Sequence, residues 1–222
     1  MSVESLYPFL FDPPSQPGGL DQVLAELADS TRAKVVEIDR LRAAVADEYA
    51  GALAECATAM AGRFIAGARL MTFGNGGSST DARALAARFL GPPPGGRPLP
   101  ALALPDDVAT LTALANDVSF DVVFARPLAA LGRPTDIALG LSTSGGSTNV
   151  LRGLAEAHRM GMLTVGLAGY DGGAMAEAGA QGEIDFLFVM RSDSVHRIQE
   201  AQTSTYHVLW ELVQVALAGD RA

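Results

Sequence analysis

Four hydroxyl side chains lie within six residues of the sequence, in the segment STSGGS at residues 142–147. They belong to Ser142, Thr143, Ser144 and Ser147, and they precede the helical pattern TNVLRGLAEAHRM. Hydroxyls and free backbone N–H donors at the positive end of a helix make a site for a phosphate monoester without a lysine or a metal. The segment therefore predicts a phosphate site, although Ser147 is also a plausible helix cap.

A second segment, GNGGSS at residues 74–79, follows the apolar run LMTF and opens another helical stretch. Glycine has no Cβ to keep a ligand from the backbone, and the N–H groups at a helix N-terminus favour an anion. Either segment alone could be a tight turn, but two on one sheet favour a ligand. A dinucleotide fingerprint would need glycine where Ser79 stands, and GLSTS lacks the closing glycine of a hydrolase G-x-S-x-G turn.

Short apolar runs alternate with helical stretches from residue 69 onward, and these elements must position the two segments. The runs are RLMTF, PALAL, DIALGLS, MLTVGLAG and IDFLFV. Nearly continuous apolar strands separated by helices indicate a parallel sheet that is covered on both faces. We expect an α/β fold with a doubly wound, flavodoxin-like sheet of five parallel strands sandwiched by helices, and ligands outside the carboxyl ends of the strands.

The N-terminal part of the chain precedes this alternating pattern. Residues 1–19 are rich in proline and end in Gly18-Gly19, which predicts an irregular arm. Helical periodicity then predicts two helices, over about residues 20–46 and 47–66, and a long last helix over about residues 194–217. We expect the arm at residues 1–19 to be followed by a single domain at residues 20–222.

Composition limits the partners. The formal net charge of -9 and the pI near 4.7 argue against direct binding to nucleic acid, which needs clustered Lys and Arg. A single cysteine, Cys56, excludes an intrachain disulfide, and its spacing from Leu53 and Met60 indicates a small core residue. The start lacks a signal-peptide pattern, and no run reaches about 18 uncharged apolar residues. We expect a soluble cytoplasmic protein without a membrane partner.

Several motifs together resemble a known family. GNGGSSTDA, ANDVSF, LSTSGGSTNV, GYDGG and RIQE with a downstream histidine are similar, in order and spacing, to the sugar isomerase (SIS) domain proteins. The resemblance is greatest to the sedoheptulose 7-phosphate isomerases, also called phosphoheptose isomerases, and covers about residues 45–217. It implies a homotetramer with sites between subunits, and the interconversion of ketose and aldose forms of a sugar phosphate.

The resemblance also implies site residues, position by position. On the sugar it puts Asn75, Gly76, Gly77 and the following Ser78, with Asn116 and Asp117 beside them. Around the phosphate it puts Ser142, Thr143, Ser144 and Ser147. Gln199 falls at the position of a substrate or metal ligand, and His207 at that of a catalytic or zinc-binding histidine.

The helix after the first segment departs from the family pattern. Family isomerases have D-A-x-H-F-A-x-E there, whereas DARALAAR puts Ala84 and Arg88 at the His and Glu positions. The i, i+4 spacing suits a metal pair, or a base beside its orienting partner, but alanine has no ligand atom and arginine stays protonated. We therefore expect no cofactor and no zinc. Arg88 could neutralise an acidic ligand, pair with Glu200 or Asp117, or form a subunit contact.

The residues leave the chemistry open. Isomerisation through an enediol needs a base that moves a proton between adjacent carbons. His207 is the candidate catalytic residue, and helical spacing puts it on one face with His196, Glu200 and Thr203. Glu200 or Asp117 could substitute for the missing base. His207 could instead form a subunit contact. Two functions follow: a sugar phosphate isomerase, or a non-catalytic regulator or scaffold that senses a phosphosugar and binds a protein partner.

Overall fold

The structure, a computed structural model, describes residues 20–219, so the expected arm at residues 1–19 lies outside the described residues. The described part divides into two units after Asp39. The first, residues 20–39, is helical and carries exposed apolar side chains at Val23, Leu24 and Leu27. The second contains the whole sheet. The extent of a single domain over residues 20–222 stays a prediction.

One continuous helix, α1 (Leu20–Ile65), occupies the sequence for which two helices were predicted. No proline or glycine stands at the expected break at residues 46–47, and the nearest glycine, Gly51, lies within the continuous helix, so nothing in the backbone ends the helix there. The prediction that Cys56 is a core residue is confirmed, because its side chain is fully buried beside the equally buried Met60 and Leu53 on the same helix.

Five parallel strands form one sheet in the order β2-β1-β3-β4-β5. Their bounds are β1 Leu70–Gly74, β2 Ala101–Ala103, β3 Ile137–Ser142, β4 Leu163–Gly169 and β5 Phe186–Met190. Every residue of β1, β3 and β4 is buried, which is why these strands are apolar throughout rather than alternating. The predicted doubly wound, flavodoxin-like sheet of five strands is confirmed.

Helices connect the strands. They are α2 Gly77–Leu90, α3 Val108–Asp117, α4 Ala125–Leu131, α5 Thr148–Arg159, α6 Gly173–Ala180 and α7 Val195–Gly219, with short 3-10 turns at Leu104–Asp106 and Phe120–Val122. The long last helix is therefore confirmed as α7. Between the sheet and the helices α4 and α5, the buried rings of Phe73 and Phe124 pack together in the core, with their centroids 5.3 Å apart. Within residues 20–219 no helix is both long and apolar enough to cross a membrane.

The order of the strands decides where a ligand can bind. β1 pairs with β2 on one side and with β3 on the other, so the chain changes direction across the sheet between β1 and β3. In open α/β sheets a crevice forms at such a point, outside the carboxyl ends of the strands. Gly74 at the end of β1 is in register with Leu141 of β3, which brings the two sequence segments to one edge.

At the opposite end of the sheet, a buried ion pair joins the starts of β1 and β3. The Asp136 carboxylate is fully buried and accepts bonds from the backbone N–H of Arg69 at 2.8 Å and from its guanidinium at 2.6 Å. The backbone N–H of Arg133 donates to the same carboxylate at 3.1 Å. The carboxylate is thus satisfied by three donors, and Arg69 depends on it.

We predict that Asp136→Ala lowers the free energy of unfolding by about 3–5 kcal/mol, because it removes the counter-charge of a partly buried guanidinium and the acceptor of two backbone N–H groups. Urea unfolding measures this change. Asp106→Ala is the control, since Asp106 pairs with Arg83 at 3.4 Å with both side chains mostly exposed, and its loss should cost less than about 1 kcal/mol. Equal effects of the two variants would contradict the importance of the buried pair.

Candidate functional site

The serine loop, residues 142–147, brings three of its hydroxyl groups together. Ser142 Oγ lies 3.0 Å from Ser147 Oγ and 3.5 Å from Ser144 Oγ, and the backbone N–H of Gly146 donates to Ser144 Oγ at 3.2 Å. Ser142 is buried, Thr143 and Ser147 are half-buried and Ser144 is exposed. The loop therefore offers several adjustable donors from one small area, as binding of a phosphate requires.

Backbone contact with the loop after β4 holds the serine loop in this shape. Gly145 has a φ of +64°, and a Cβ there would overlap the carbonyl group of Gly172. The Gly145 carbonyl accepts a hydrogen bond from the backbone N–H of Met175 at 2.9 Å. A Cβ on Gly173 would lie only 2.6 Å from the Ser144 carbonyl oxygen. The GYDGG segment is thus the support of the serine loop, because only glycines allow this approach.

Both helices that begin at the site start without a side-chain cap. Ser147 stands at the N-cap of α5, but its hydroxyl makes no capping bond and contacts Ser142 instead. Gly76, at the N-cap of α2 with a φ of 53°, has no side chain to offer. By contrast, Asp107 caps α3 through a bond from the backbone N–H of Thr110. Uncapped first-turn N–H groups are available to an anion at the positive end of each helix dipole.

The glycine loop, residues 74–79, lies beside the serine loop at the end of β1. A Cβ on Gly74 would lie 2.8 Å from Ser78 and 2.9 Å from the Leu141 carbonyl, so glycine permits the tight turn into α2. Ser78 itself is buried in this contact. Gly77 is covered by the amide of Gln199 from α7, which a Cβ would displace. The structure therefore brings Gln199 to the glycine loop.

A pair of side-chain amides joins the glycine loop to α5. The Asn75 amide donates to Asn149 Oδ1 at 2.8 Å, and the Asn149 amide donates to Asn75 Oδ1 at 2.9 Å. Sequence analysis did not single out Asn149. The sequence feature that could have pointed to Asn149 is its place two positions after Ser147, at the start of a helix that follows a phosphate-type turn.

A cleft of about 710 Å³ continues from the serine loop along the ends of β4 and β5. Its walls are formed by Ser144, Tyr170, Asp171, Arg191, Ser192 and Asp193. Tyr170 has a φ of +52°, an uncommon backbone conformation for a residue with a side chain. Tyr170 and Asp171 of the GYDGG segment therefore border open space, which the sequence pattern did not indicate.

The helices α2 and α7 pack side by side beyond the glycine loop. Thr203 on α7 donates to the Asp81 carboxylate on α2 at 3.3 Å. Burial raises the pKa of the Asp81 carboxyl above its usual value, and hydrogen bonds with Thr203 and Tyr206 partly offset this. Thr203 is thus engaged in the contact between α2 and α7.

Arg88 lies at the far end of the same helix pair. Its guanidinium carbon is 4.3 Å from the centroid of the Trp210 ring, a cation–π arrangement. The Arg88 Nε and Trp210 Nε1 are both buried and have no hydrogen-bond partner among the described residues. Glu200, proposed as a partner for Arg88, is instead paired with Arg197 at 2.9 Å. Ala84 is exposed on the turn before Arg88.

His207 is exposed on α7 next to this cluster. Its ring centroid is 5.0 Å from that of Tyr206. Partial burial lowers the pKa of the His207 imidazole below its usual value, the charge of Arg88 lowers the pKa further, and Glu211 raises it. Because the ordinary histidine pKa is about 6.5, the ring is mostly neutral at pH 7 and can accept a proton.

The glycine and serine loops, here together called the cradle, are separated from His207 within one chain. His207 follows Gln199 by eight residues, which corresponds to about 12 Å along a helix. Arg88 follows Gly77 by eleven residues, or about 16 Å along α2. The described chain therefore brings together the glycine loop, the serine loop and Gln199, and leaves His207 and Arg88 at the other end of the helix pair.

Asn116 and Asp117 form an exposed pair at the end of α3. The Asn116 amide donates to the Asp117 carboxylate at 2.7 Å. Both side chains are open to solvent. Their predicted place beside the sugar stays a prediction.

Comparison with known proteins agrees with this arrangement. Residues 35–169 match the SIS domain family. A phosphoheptose isomerase from Aquifex aeolicus (strain VF5) is 39% identical over 179 residues, which cover 80% of this chain and 91% of that protein. A phosphoheptose isomerase from Paramagnetospirillum magneticum is 40% identical over 200 residues, covering 90% of this chain and 96% of the relative. This chain belongs to the phosphoheptose isomerase family of SIS domain proteins.

A solved phosphoheptose isomerase has the same fold. The structure from Neisseria gonorrhoeae superposes with a TM-score of 0.77 at 31% identity, covering 84% of this chain and 98% of that one. A phosphoheptose isomerase from Francisella tularensis gives a TM-score of 0.75 at 32% identity. The family membership predicted from the motifs is confirmed, while the roles of individual site residues stay predictions.

The zinc site that the resemblance to phosphoheptose isomerases implies does not fit the residues of this chain. Ala84 has no donor atom, and Arg88 places a cation at the next ligand position. The backbones of Gln199 and His207 are about two helical turns apart on α7. Among residues 20–219 no group of three or more His, Cys, Asp or Glu side chains could hold a metal ion.

We predict that Gly145→Ala weakens binding of sedoheptulose 7-phosphate and destabilises the protein by more than about 1 kcal/mol, because the Cβ is strained and overlaps the Gly172 carbonyl. Calorimetric titration and urea unfolding measure the two effects. Gly182→Ala is the matched control, since Gly182 has a φ of +77° but open space around its Cβ position. It should share the backbone strain and keep the affinity. Equal affinities of the two variants would contradict the support of the serine loop by Gly172.

Proposed function

We propose that this chain binds a phosphorylated sugar between the glycine and serine loops and interconverts its ketose and aldose forms. The observation that carries the proposal is the convergence of Ser142, Ser144 and Ser147 at the uncapped start of α5, directly beside the glycine loop. Names of relatives support the reaction class, because the similar proteins are phosphoheptose isomerases. Sedoheptulose 7-phosphate is the first substrate to test.

The ligand has two ends, and each end meets a different part of the site. The phosphate accepts bonds from the serine hydroxyls and the first-turn N–H groups of α5, which suits an acidic protein with no lysine in the serine loop. The sugar hydroxyls meet the half-buried Asn75 amide and the Gln199 amide above Gly77. Both amides can donate and accept, as recognition of hydroxyl groups requires.

The proton transfer is assigned to His207. A base removes the proton from the carbon next to the carbonyl group while the carbonyl oxygen takes up a proton, which gives an enediol. The base then delivers a proton to the former carbonyl carbon, and the hydroxyl on the first carbon loses its proton to become the new carbonyl group. His207 suits this role because its imidazole is exposed and its lowered pKa keeps it neutral at pH 7. Glu200 is a weaker candidate base, since its carboxylate is held by Arg197. No step uses a metal, consistent with the poor fit of Ala84 and Arg88 to a zinc site.

A second copy of the chain supplies His207 to the sugar. Within one chain the backbone of His207 lies about 12 Å along α7 from that of Gln199, whose amide covers Gly77. A site between subunits removes this separation, and we propose a homotetramer as the assembly. Light scattering after size exclusion measures the number of chains.

We predict slow but measurable turnover of sedoheptulose 7-phosphate, followed by NMR for the aldose product, with no loss of rate in EDTA. The rate should be below that of an isomerase with a positioned glutamate base, because such a base contributes about 10²–10⁴-fold. The control is His207→Ala, which should bind the sugar phosphate and lose turnover. Binding without turnover in the unaltered protein would contradict the isomerase and favour a phosphosugar sensor that acts through a protein partner.

We predict that Ala84→His/Arg88→Glu raises the isomerase rate by up to about 10²–10⁴-fold, because it replaces a cation near His207 by a carboxylate able to accept a proton. Steady-state kinetics with sedoheptulose 7-phosphate measure the change. Arg83→Glu on the exposed side of α2 is the control for the altered charge, and it should leave the rate unchanged. A folded double variant with the rate of the parent protein would contradict the assignment of this helix position to the chemistry.

A further inference from the structure

The reciprocal amide pair between Asn75 and Asn149 crosses the crevice between β1 and β3. Asn75 follows the last residue of β1, and Asn149 is the second residue of α5, directly after the serine loop. The two hydrogen bonds are 2.8 and 2.9 Å long. Asn149 is only 3% exposed, whereas Asn75 is half-buried. The pair therefore connects the end of one loop of the site to the helix that carries the other.

Reciprocal pairing fixes the orientations of the Asn75 and Asn149 amides relative to each other. Each amide has one carbonyl oxygen and one NH₂ group, and both bonds form only when oxygen faces nitrogen twice. A half-turn of the Asn75 amide alone would place oxygen against oxygen and nitrogen against nitrogen, and both bonds would be lost. Because Asn149 is buried, the two bonds fix the position and plane of the Asn75 amide, and the Asn75 amide can turn over only if the Asn149 amide turns with it.

The pair leaves capacity for a ligand on one side only. After pairing, each amide still has one N–H donor and one acceptor lone pair. Those of Asn149 are buried and out of reach, while those of Asn75 belong to a half-buried side chain in the glycine loop. Asn75 therefore presents a donor and an acceptor in fixed directions, which is the pattern that recognises a sugar hydroxyl.

We propose that Asn149 is a positioning residue for the sugar: it orients Asn75 so that the free donor and acceptor of Asn75 face the sugar hydroxyls. This inference rests on the proposed binding of a sugar phosphate at the site. The proposal gives Asn149 a role in binding the sugar, although the start of its helix, α5, is the proposed phosphate site. The serine hydroxyls contact one another and Gly145 rests on Gly172, so the phosphate end keeps its shape without the amide pair.

The test compares the affinities of Asn75→Ala, Asn149→Ala and the double variant for sedoheptulose 7-phosphate and for inorganic phosphate, by calorimetric titration. We expect each single variant to bind the sugar phosphate about tenfold more weakly, since each leaves an amide of the pair without its partner or removes the sugar contact. The double variant should bind no more weakly than Asn75→Ala. The affinity for inorganic phosphate should stay within about twofold of the parent value, because the serine loop is unchanged.

Two further variants separate positioning from packing. Asn149→Leu keeps the buried volume but forms no hydrogen bond, so it should lose sugar affinity as Asn149→Ala does; recovery of the affinity would overturn the proposal. Gln214→Ala is the matched control, because the Gln214 amide makes a similar reciprocal contact with the Arg97 backbone at 2.8 and 3.1 Å, away from both loops. It should leave both affinities unchanged.

The outcomes distinguish this inference from the proposed function. If the parent protein binds no sugar phosphate, the proposed function fails and the inference fails with it. If the parent protein binds it but the effects of Asn75→Ala and Asn149→Ala add independently, or phosphate affinity falls equally, the positioning role is overturned and the proposed function stands. If Asn149→Ala and Asn149→Leu both fail to fold, Asn75→Ala is the variant that still tests the proposal. A loss of affinity for inorganic phosphate as well as for the sugar phosphate in Asn75→Ala would overturn the proposal.

Discussion

The close approach of backbone segments at the carboxyl edge of the sheet is the constraint on which the site depends. Gly145 rests on the Gly172 carbonyl, and Gly74 lies against Ser78 and the Leu141 carbonyl. A Cβ at either position would push one loop away from its neighbour. Because β1 and β3 are adjacent, this close packing brings two helix N-termini to the same crevice, where their uncapped N–H groups favour an anion.

Charge at the far end of α2 distinguishes this chain from the pattern of its family. A guanidinium stacked on Trp210 occupies the position at which the family resemblance implies a carboxylate, and its positive charge adds to the effect of partial burial in lowering the pKa of His207. A cation there disfavours a divalent metal and keeps the imidazole neutral, so the substitution changes the chemistry available without changing the fold. The glycine loop is remote from this cation, because Gly77 lies about 16 Å along α2 from Arg88.

Much of the fold and part of the site could be predicted from local pattern. The apolar runs identified all five strands, because a strand buried on both faces must be apolar throughout. The serine loop was found from the hydroxyls in a glycine-rich turn before a helix. Two features could not be found this way. The continuity of α1 depends on the absence of a break, which periodicity does not report, and Asn149 looked like an ordinary helix residue until its partner was known.

The sequence by itself determined the strands, the parallel sheet and the family, and it put Ala84 and Arg88 where the family resemblance implies His and Glu, because these follow from local composition and motif order. Only the tertiary structure decided which side chains meet. It paired Asn75 with Asn149, placed Gln199 over Gly77 and Arg88 on Trp210, and separated His207 from the cradle. Such contacts join residues that lie tens to more than a hundred positions apart, and their geometry depends on how helices pack on the sheet.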